Sequence, residues 1–264
     1  LHVHAGPDPN QNRRLDAIET ARHAYEAEMG GFVLKSHEYL TSPLTYALEQ
    51  MYPGLTVAGS ISLNREVGGL NHQAVQTAAR LGAKVIWMPT LSARSHFLSC
   101  TKTQGISLTD NSGKLHPELY DILNIVAESG MILASGHISI SDTHALFDAA
   151  KKAGCEKLIV THPSNSIDAA DLQPLVEMGA YIEYTFVRCL PSGGGIDPRK
   201  LAADIRTQGV DNCIITTDLG QWMNPPPAEG MRMAIASLLV AEMSSEEIST
   251  LVKTNPATLL GIDA

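Results

Sequence analysis

Short apolar runs alternate with amphipathic stretches along the whole chain, which predicts repeated strand–helix units. Between the apolar runs, helical periodicity predicts nine helices, over about 14–29, 43–51, 72–81, 117–129, 142–153, 169–178, 198–208, 228–243 and 245–253. The β-like runs themselves cover residues 1–4, 32–37, 55–60, 84–89, 131–137, 157–162, 181–186 and 213–218. Eight such units predict an α/β fold, a (β/α)8 TIM barrel, as a single domain over residues 1–264.

The connection after the fourth predicted strand, residues 90–116, is much longer than an ordinary strand–helix loop. Loops of this length are usually lids or binding loops. Within it, residues 107–114 predict a hairpin turn. The loops after the seventh and eighth strands, residues 190–195 and 221–227, are rich in glycine and proline.

Composition narrows the class of protein. The net charge of -9 argues against nucleic-acid binding, and no apolar run reaches the roughly 18–20 residues of a membrane span. Cys100, Cys155, Cys189 and Cys213 lie far apart, which favours free thiols and a cytoplasmic location. The chain begins at Leu1 within a predicted strand, so a missing N-terminal segment and a signal peptide stay open.

Residues of the metal-ligand type stand at the ends of four predicted strands. His2 and His4 point to the same face of the first strand, because side chains alternate along a strand. Two converging imidazoles are half of a metal site. Later strands end in His137, His162 and Asp218. Since barrel active sites lie at the carboxyl ends of the strands, the predicted fold and the predicted site support each other.

At these positions the chain resembles the amidohydrolase superfamily of metal-dependent hydrolases, in an uncharacterised branch. That family carries His-x-His on strand 1, a histidine on each of strands 5 and 6, and an aspartate on strand 8. Residues 254–261 also resemble the final helix of the family, so the resemblance covers nearly the whole chain. It implies a divalent metal, one or two ions. Imidazole and carboxylate ligands suit Zn, with Mn, Fe and Ni as alternatives.

The chain departs from the family in one place. Two-metal members often carry a carboxylated lysine or a glutamate on strand 4, but the fourth strand here offers no ligand. Lys35 and His37 instead share one face of the second strand. Lys35 is either a carboxylated, metal-bridging lysine, an ammonium that binds substrate, or the partner of Asp218 in a salt bridge. His37 is expected near the metal ligands or against the substrate.

The expected mechanism uses metal-activated water, with Asp218 as the proton acceptor. If Lys35 bridges, the strand-1 histidines and Asp218 hold one ion, while His137 and His162 hold the other. If it does not, a single ion is held by the strand-1 pair, Asp218 and His137. His162 then stabilises the oxyanion.

Arg65, Arg94 and Arg188 follow strands 3, 4 and 7, where each could bind a substrate carboxylate through two hydrogen bonds. The leading hypothesis is hydrolysis of an amide, lactam or ester-type C–N or C–O bond in a small molecule. A metal-dependent decarboxylase, a phosphoesterase and a non-catalytic binding barrel are the alternatives. No nucleic-acid or membrane partner is expected, and a homo-oligomer stays open.

Overall fold

The computed structural model describes residues 1–96, 105–110, 112–163, 167 and 169–262. Each of the eight predicted strand positions contains strand structure, and the α/β class is confirmed. In the described residues the strands, β1 to β9 in chain order, are Val3–His4, Gly31–Lys35, Thr56–Ala58, Ser60–Ser62, Val85–Trp87, Ile132–Ala134, Leu158–Val160, Ala180–Thr185 and Cys213–Thr216. Several end two or three residues earlier than predicted, so the candidate ligands often follow a strand instead of ending it.

The helices lie at the predicted positions, with ends that differ by a few residues. Their bounds are Ala17–Glu26, Ser42–Met51, His72–Arg80, Glu118–Ser129, Ile140–Ala153, Ala169–Glu177, Pro198–Gln208, Pro227–Val240, Ser245–Ser249 and Asn255–Leu260. A π-helical turn, Thr250–Thr254, joins the last two. Capping explains several boundaries: Asp16 accepts from the Glu19 backbone at 2.8 Å, so the first helix begins later than predicted.

The first compact unit consists of Leu1–Lys35, Leu44–Ala58 and Tyr181–Ala264. Its parallel strands run in the order β8, β9, β1, β2, β3, with a parallel bridge between Val3 and Leu219 joining β9 to β1. Buried Val3, Phe32 and Leu34 belong to its core, against the helix Ala17–Glu26. The carboxyl ends of these strands meet at one edge, where His2, His4, Lys35 and Asp218 lie.

The second compact unit consists of Ser36–Pro43 and Gly59–Ala180. Its strands β4, β5, β6 and β7 pair in parallel and in sequence order. They are buried throughout, as expected of parallel strands covered by helices. The prediction of a single domain over residues 1–264 stays a prediction.

Residues 55–60 form two strands where the sequence predicts one, because the chain changes pairing partner at Gly59. β3 pairs with β2, whereas β4 pairs with β5. A Cβ atom at Gly59 would lie 2.4 Å from the Ser42 hydroxyl oxygen, so the close approach of Ser42 requires glycine there. An apolar run alone cannot reveal this change of partner.

The predicted long loop is described only in part. Thr109 and Leu115 form an antiparallel bridge, and Gly113 donates to the Asp110 carbonyl at 3.0 Å, in agreement with a turn over residues 107–114. Asn111 and residues 97–104, including Cys100, lie outside the described residues. The described cysteines are free thiols. Within the described chain no helix has the length and apolar character that a membrane crossing requires.

Candidate metal centre

The register of β1 against β2 brings the first ligand-type residues together. His4 pairs with Lys35 across the two parallel strands, so their side chains share a face. His2, two residues before His4, points the same way. All three side chains are buried, with exposures of 0–2%. Within this unit, the structure therefore places Lys35 on the same face as the strand-1 histidines.

Three ligand atoms converge at the carboxyl end of β1. His2 Nε2 lies 3.3 Å from His4 Nε2, and Asp218 Oδ1 lies 3.2 and 3.3 Å from those nitrogens. In the described residues this is the one group of three His, Cys, Asp or Glu side chains whose ligand atoms all lie within 4.8 Å of one another. Together with Lys35 and Glu183, these residues are called the carboxylate–histidine site below.

Glu183 on β8 orients His2 from behind. Its Oε1 lies 3.0 Å from His2 Nδ1 and also accepts a hydrogen bond from Thr216 Oγ1 at 2.8 Å. A carboxylate at Nδ1 places the ring hydrogen there and leaves Nε2 as the electron-pair donor. Glu183 was not among the predicted site residues. A lone acidic residue inside the apolar run 181–186 was the available signal, since a buried carboxylate needs partners.

The backbone around Asp218 is shaped by close contacts. Asp218 has φ +51, in the left-handed region, and its N–H donates to the His2 carbonyl at 2.9 Å. Two residues on, Gly220 has φ +144, and a Cβ there would lie 2.1 Å from the His4 carbonyl oxygen. Only glycine permits this approach, which holds the segment carrying Asp218 against β1.

Burial sets the protonation of the site. The pKa of His4 is lowered to about 3, because burial disfavours the imidazolium and the bond to Asp218 offsets this only in part. Burial likewise lowers the pKa of Lys35 to about 8, against the attraction of the Asp218 and Glu183 carboxylates. A neutral His4 suits a metal ligand, and a lysine with a lowered pKa has an accessible neutral amine.

The donor set fits a divalent metal of the zinc type. Two imidazole nitrogens and a carboxylate oxygen, with a position left open, are a common catalytic set for Zn. A tetrahedral Zn with bonds of about 2.0–2.1 Å sets its ligand atoms about 3.3 Å apart, which is the spacing of these three atoms. Glu183 supplies the outer carboxylate that histidine ligands of metals usually have.

The other predicted histidines lie together in the second unit. The His137 ring centroid is 5.0 Å from that of His162, 5.3 Å from that of His96 and 6.4 Å from that of His37. These four residues are called the histidine cluster below. His96, from the long connection after the fourth predicted strand, is thus a member. Before His137, a Cβ at Gly136 would lie 2.3 Å from the Met88 carbonyl oxygen, so glycine is required there.

The arginines proposed to bind substrate differ in exposure. Arg65 and Arg94 are exposed in the second unit, and Arg188 is half-buried in the first. The structure brings His2, His4, Lys35 and Asp218 into one group. The assignments of metal ligands, catalytic residues and substrate-binding residues stay predictions.

Comparison with known proteins gives a family and a fold. A model described as a family of unknown function (DUF6282) matches residues 1–183. No curated protein matches the chain. A putative 2-pyrone-4,6-dicarboxylic acid hydrolase from Pseudomonas putida is similar in structure, with 14% identity, a TM-score of 0.63, and coverage of 100% of this chain and 97% of that chain.

Two further solved structures agree. An amidohydrolase from Pseudomonas aeruginosa has 11% identity and a TM-score of 0.65, with 98% of this chain and 93% of that chain covered. The phosphotriesterase homology protein from Escherichia coli, solved with phosphate in its active site, has 12% identity and a TM-score of 0.64, with 98% and 97% covered. At such identities the likeness shows the fold. It confirms the (β/α)8 class, and at the level of the fold it confirms the resemblance to the amidohydrolase superfamily.

Proposed function

Because the chain belongs to DUF6282, a family of unknown function, we propose its activity from its own site: a metal-dependent hydrolase of small molecules. The bond cleaved is an amide, lactam or ester-type C–N or C–O bond. The observation that carries the proposal is the spacing of His2 Nε2, His4 Nε2 and Asp218 Oδ1, at 3.2–3.3 Å from one another. Hydrogen bonds alone would not require two imidazoles to present the same nitrogen to one carboxylate oxygen.

A divalent ion, proposed to be Zn, would supply Lewis acidity for the activation of water at these three atoms. The chain provides the rest. Glu183 holds His2 in the orientation that presents Nε2, and Asp218, with a side chain 20% exposed, is reached by solvent. The second carboxylate oxygen of Asp218 takes the proton from the attacking water and returns it to the leaving group.

The chemical state of Lys35 distinguishes two forms of this site, one with an ammonium and one with a carbamate. Its Nζ lies 2.9 Å from His2 Nε2, where an ammonium donates a hydrogen bond to the electron pair of that nitrogen. The same pair cannot also bind a metal, so a metal-loaded site requires Lys35 to move or to lose its proton. We propose the second: the neutral amine adds to CO2 and loses a proton, which gives a carbamate whose oxygens would hold the metal.

Carbon NMR tests the state of Lys35. Protein equilibrated with ¹³C-bicarbonate and zinc should show a carbamate signal, and Lys35→Met should lack it. The carbamate proposal is overturned if the unaltered protein binds zinc without that signal, which leaves the ammonium as a substrate contact or as the partner of Asp218. Short carboxylic acids should partly restore zinc binding to Lys35→Ala, because they replace the missing oxygens.

A small substrate with a carboxylate is the proposed class. The similar structures from Pseudomonas putida and Acinetobacter baumannii are named for hydrolysis of 2-pyrone-4,6-dicarboxylic acid, a cyclic ester with two carboxylates. Arg65, Arg94 and Arg188 are the proposed carboxylate partners. Phosphoester hydrolysis is the second candidate, supported by the similarity to the protein solved with phosphate in its active site. The separated cysteines lead us to propose a cytoplasmic location.

Elemental analysis of protein purified without chelator tests the function most directly. We expect stoichiometric zinc or a related transition metal, lost in His2→Ala and kept in the control His72→Asn, whose side chain is exposed at a helix start. A panel of lactones, amides, esters and phosphoesters should then identify a hydrolysed bond. Unaltered protein that neither contains metal nor binds it on reconstitution would refute the proposal, and CO2 release without hydrolysis would favour the decarboxylase alternative.

A further inference from the structure

Two buried polar side chains, Asn64 and Thr90, hold His37 of the histidine cluster. Both have an exposure of 0%, and His37 has an exposure of 7%. His37 Nδ1 lies 2.8 Å from Thr90 Oγ1. Either atom could be the donor in this contact, and the choice decides which ring nitrogen of His37 carries the hydrogen.

Backbone donors fix the orientation of the Asn64 amide. The N–H groups of Thr90 and Ser92 both donate to Asn64 Oδ1, at 2.8 and 3.1 Å. The opposite orientation would point an NH2 group, which cannot accept, at these two donors. Asn64 Nδ2 therefore donates elsewhere: to the His37 carbonyl at 3.0 Å and to Thr90 Oγ1 at 2.8 Å.

The Thr90 hydroxyl connects the fixed Asn64 amide to the imidazole of His37. Because Oγ1 accepts from Asn64, its own hydrogen needs another acceptor, and within the described residues His37 Nδ1 is the acceptor in reach. If Nδ1–H were the donor instead, the hydroxyl hydrogen would be buried without an acceptor, which folded proteins avoid. The ring hydrogen of neutral His37 is therefore on Nε2.

We propose that Asn64 and Thr90 are positioning residues that keep His37 as the Nε2–H tautomer, so that His37 donates a hydrogen bond to a carbonyl or carboxylate oxygen of the substrate. This inference rests on the proposed hydrolase function and on the contact of His37 with the substrate that the sequence predicts. A fixed N–H donor stabilises the negative charge that develops on a carbonyl oxygen as the bond to the attacking water forms. A nitrogen that already carries its hydrogen serves as a donor and not as a base.

Nitrogen NMR of zinc-loaded, ¹⁵N-histidine-labelled protein reads the tautomer without any turnover. We expect His37, assigned by the signals lost in His37→Gln, to show an unprotonated Nδ1 and a protonated Nε2. Asn64→Asp should invert this pattern, because a carboxylate cannot donate: the Thr90 hydroxyl then donates to it and accepts from Nδ1–H. An Nδ1–H tautomer in the unaltered protein, or no change in a folded Asn64→Asp variant, would overturn the positioning.

Thr90 offers a milder pair of variants in case Asn64→Asp does not fold. Thr90→Ser retains the hydroxyl and should keep the Nε2–H tautomer. Thr90→Val has nearly the same shape without the hydroxyl, and it should yield a mixture of tautomers. Identical spectra for the two variants would count against the proposal as strongly as an unchanged Asn64→Asp spectrum.

Kinetics tests the donor role separately. A glutamine at position 37 can place an N–H near the position of Nε2, whereas an asparagine reaches only the region of Nδ1. We expect kcat to fall about 10²–10³-fold in His37→Asn, the usual loss of an oxyanion donor, and clearly less in His37→Gln. Equal losses would overturn the donor role. A protein without any hydrolase activity would refute the proposed function, while the NMR result would still decide the positioning.

Discussion

The two groups of histidines differ in the chemistry of their neighbours. In the carboxylate–histidine site, the imidazoles face ionisable groups: Glu183 behind His2, and Asp218 and Lys35 at the shared nitrogen edge. In the histidine cluster, a hydroxyl contacts His37, and the rings pack against each other. A histidine therefore has a different use in each group. A carboxylate partner makes its far nitrogen a better metal ligand, while a hydroxyl partner selects a tautomer without adding charge.

Removing the carboxylate from the first group should have the largest effect. Asp218→Asn takes away the charge of a metal ligand and the proton acceptor together. We expect kcat/KM to fall by about 10²–10⁴-fold, the range for loss of general acid–base catalysis, with weaker zinc binding. Steady-state kinetics and metal titration measure both.

The matched control is Asp211→Asn, which makes the same change at an exposed position in a short turn. It should leave both measurements unchanged. Near-native turnover in Asp218→Asn would show that the proton acceptor is a different group, and the contrast between the two histidine groups would then lose its catalytic meaning.

The sequence predicted the first group better than the second, for a physical reason. Alternation along a strand places His2 and His4 on one face, and the carboxyl end of the eighth predicted strand brings Asp218 to the same edge. The register of β1 against β2, which alternation alone does not give, adds Lys35. Glu183 was not predicted, because a single acidic residue in an apolar run produces no periodic pattern. The contact of His37 with Thr90 depends on loop conformation, which short-range patterns do not encode.

The fold shows the same division between what periodicity encodes and what it does not. Apolar runs and helical periods located every predicted strand and helix. They did not reveal the change of partner at Gly59 or the π-helical turn at Thr250–Thr254, because both depend on contacts between segments distant in sequence or on backbone geometry. Several strands were predicted to end too late, since the chain stays buried just after the last strand residue, as at Ser135 and Thr161.

Removal of zinc should lower the free energy of unfolding, because zinc bound at the carboxylate–histidine site would stabilise the folded chain. Free zinc at 100 times its dissociation constant stabilises a protein by about 2.7 kcal/mol, if the unfolded chain does not bind it. For a chain of this size that is a shift in Tm of roughly 5–10 °C. Thermal unfolding with and without chelator should show this shift in the unaltered protein and in His72→Asn but not in His4→Asn. A shift in Tm that persists in His4→Asn would mean that zinc binds at other residues.

Glu183→Gln should have an intermediate effect, because it changes only the partner of His2. The amide oxygen can still accept from His2 Nδ1 and from Thr216, but the negative charge is gone. Loss of such outer partners typically weakens metal affinity or activity about 10–100-fold. Zinc titration against a chromogenic chelator gives the affinity, with the exposed Glu177→Gln as control. An unchanged affinity would mean that the charge on Glu183 does not contribute to the difference between the two groups.

The smallest effect is expected in the histidine cluster, at His96. Its ring centroid is 5.3 Å from that of His137, and partial burial lowers its pKa, which favours the neutral imidazole that a metal ligand needs. Neutrality alone does not make a ligand, however: His96 is not part of the group whose ligand atoms converge in the described chain. Substitutions at partly exposed positions usually cost well under about 1 kcal/mol. We therefore expect His96→Asn to change zinc affinity by less than about fivefold, since a tenfold change is about 1.4 kcal/mol. A tenfold or larger loss in the same titration that reports on Glu183→Gln would make His96 itself a metal ligand and would contradict this expectation.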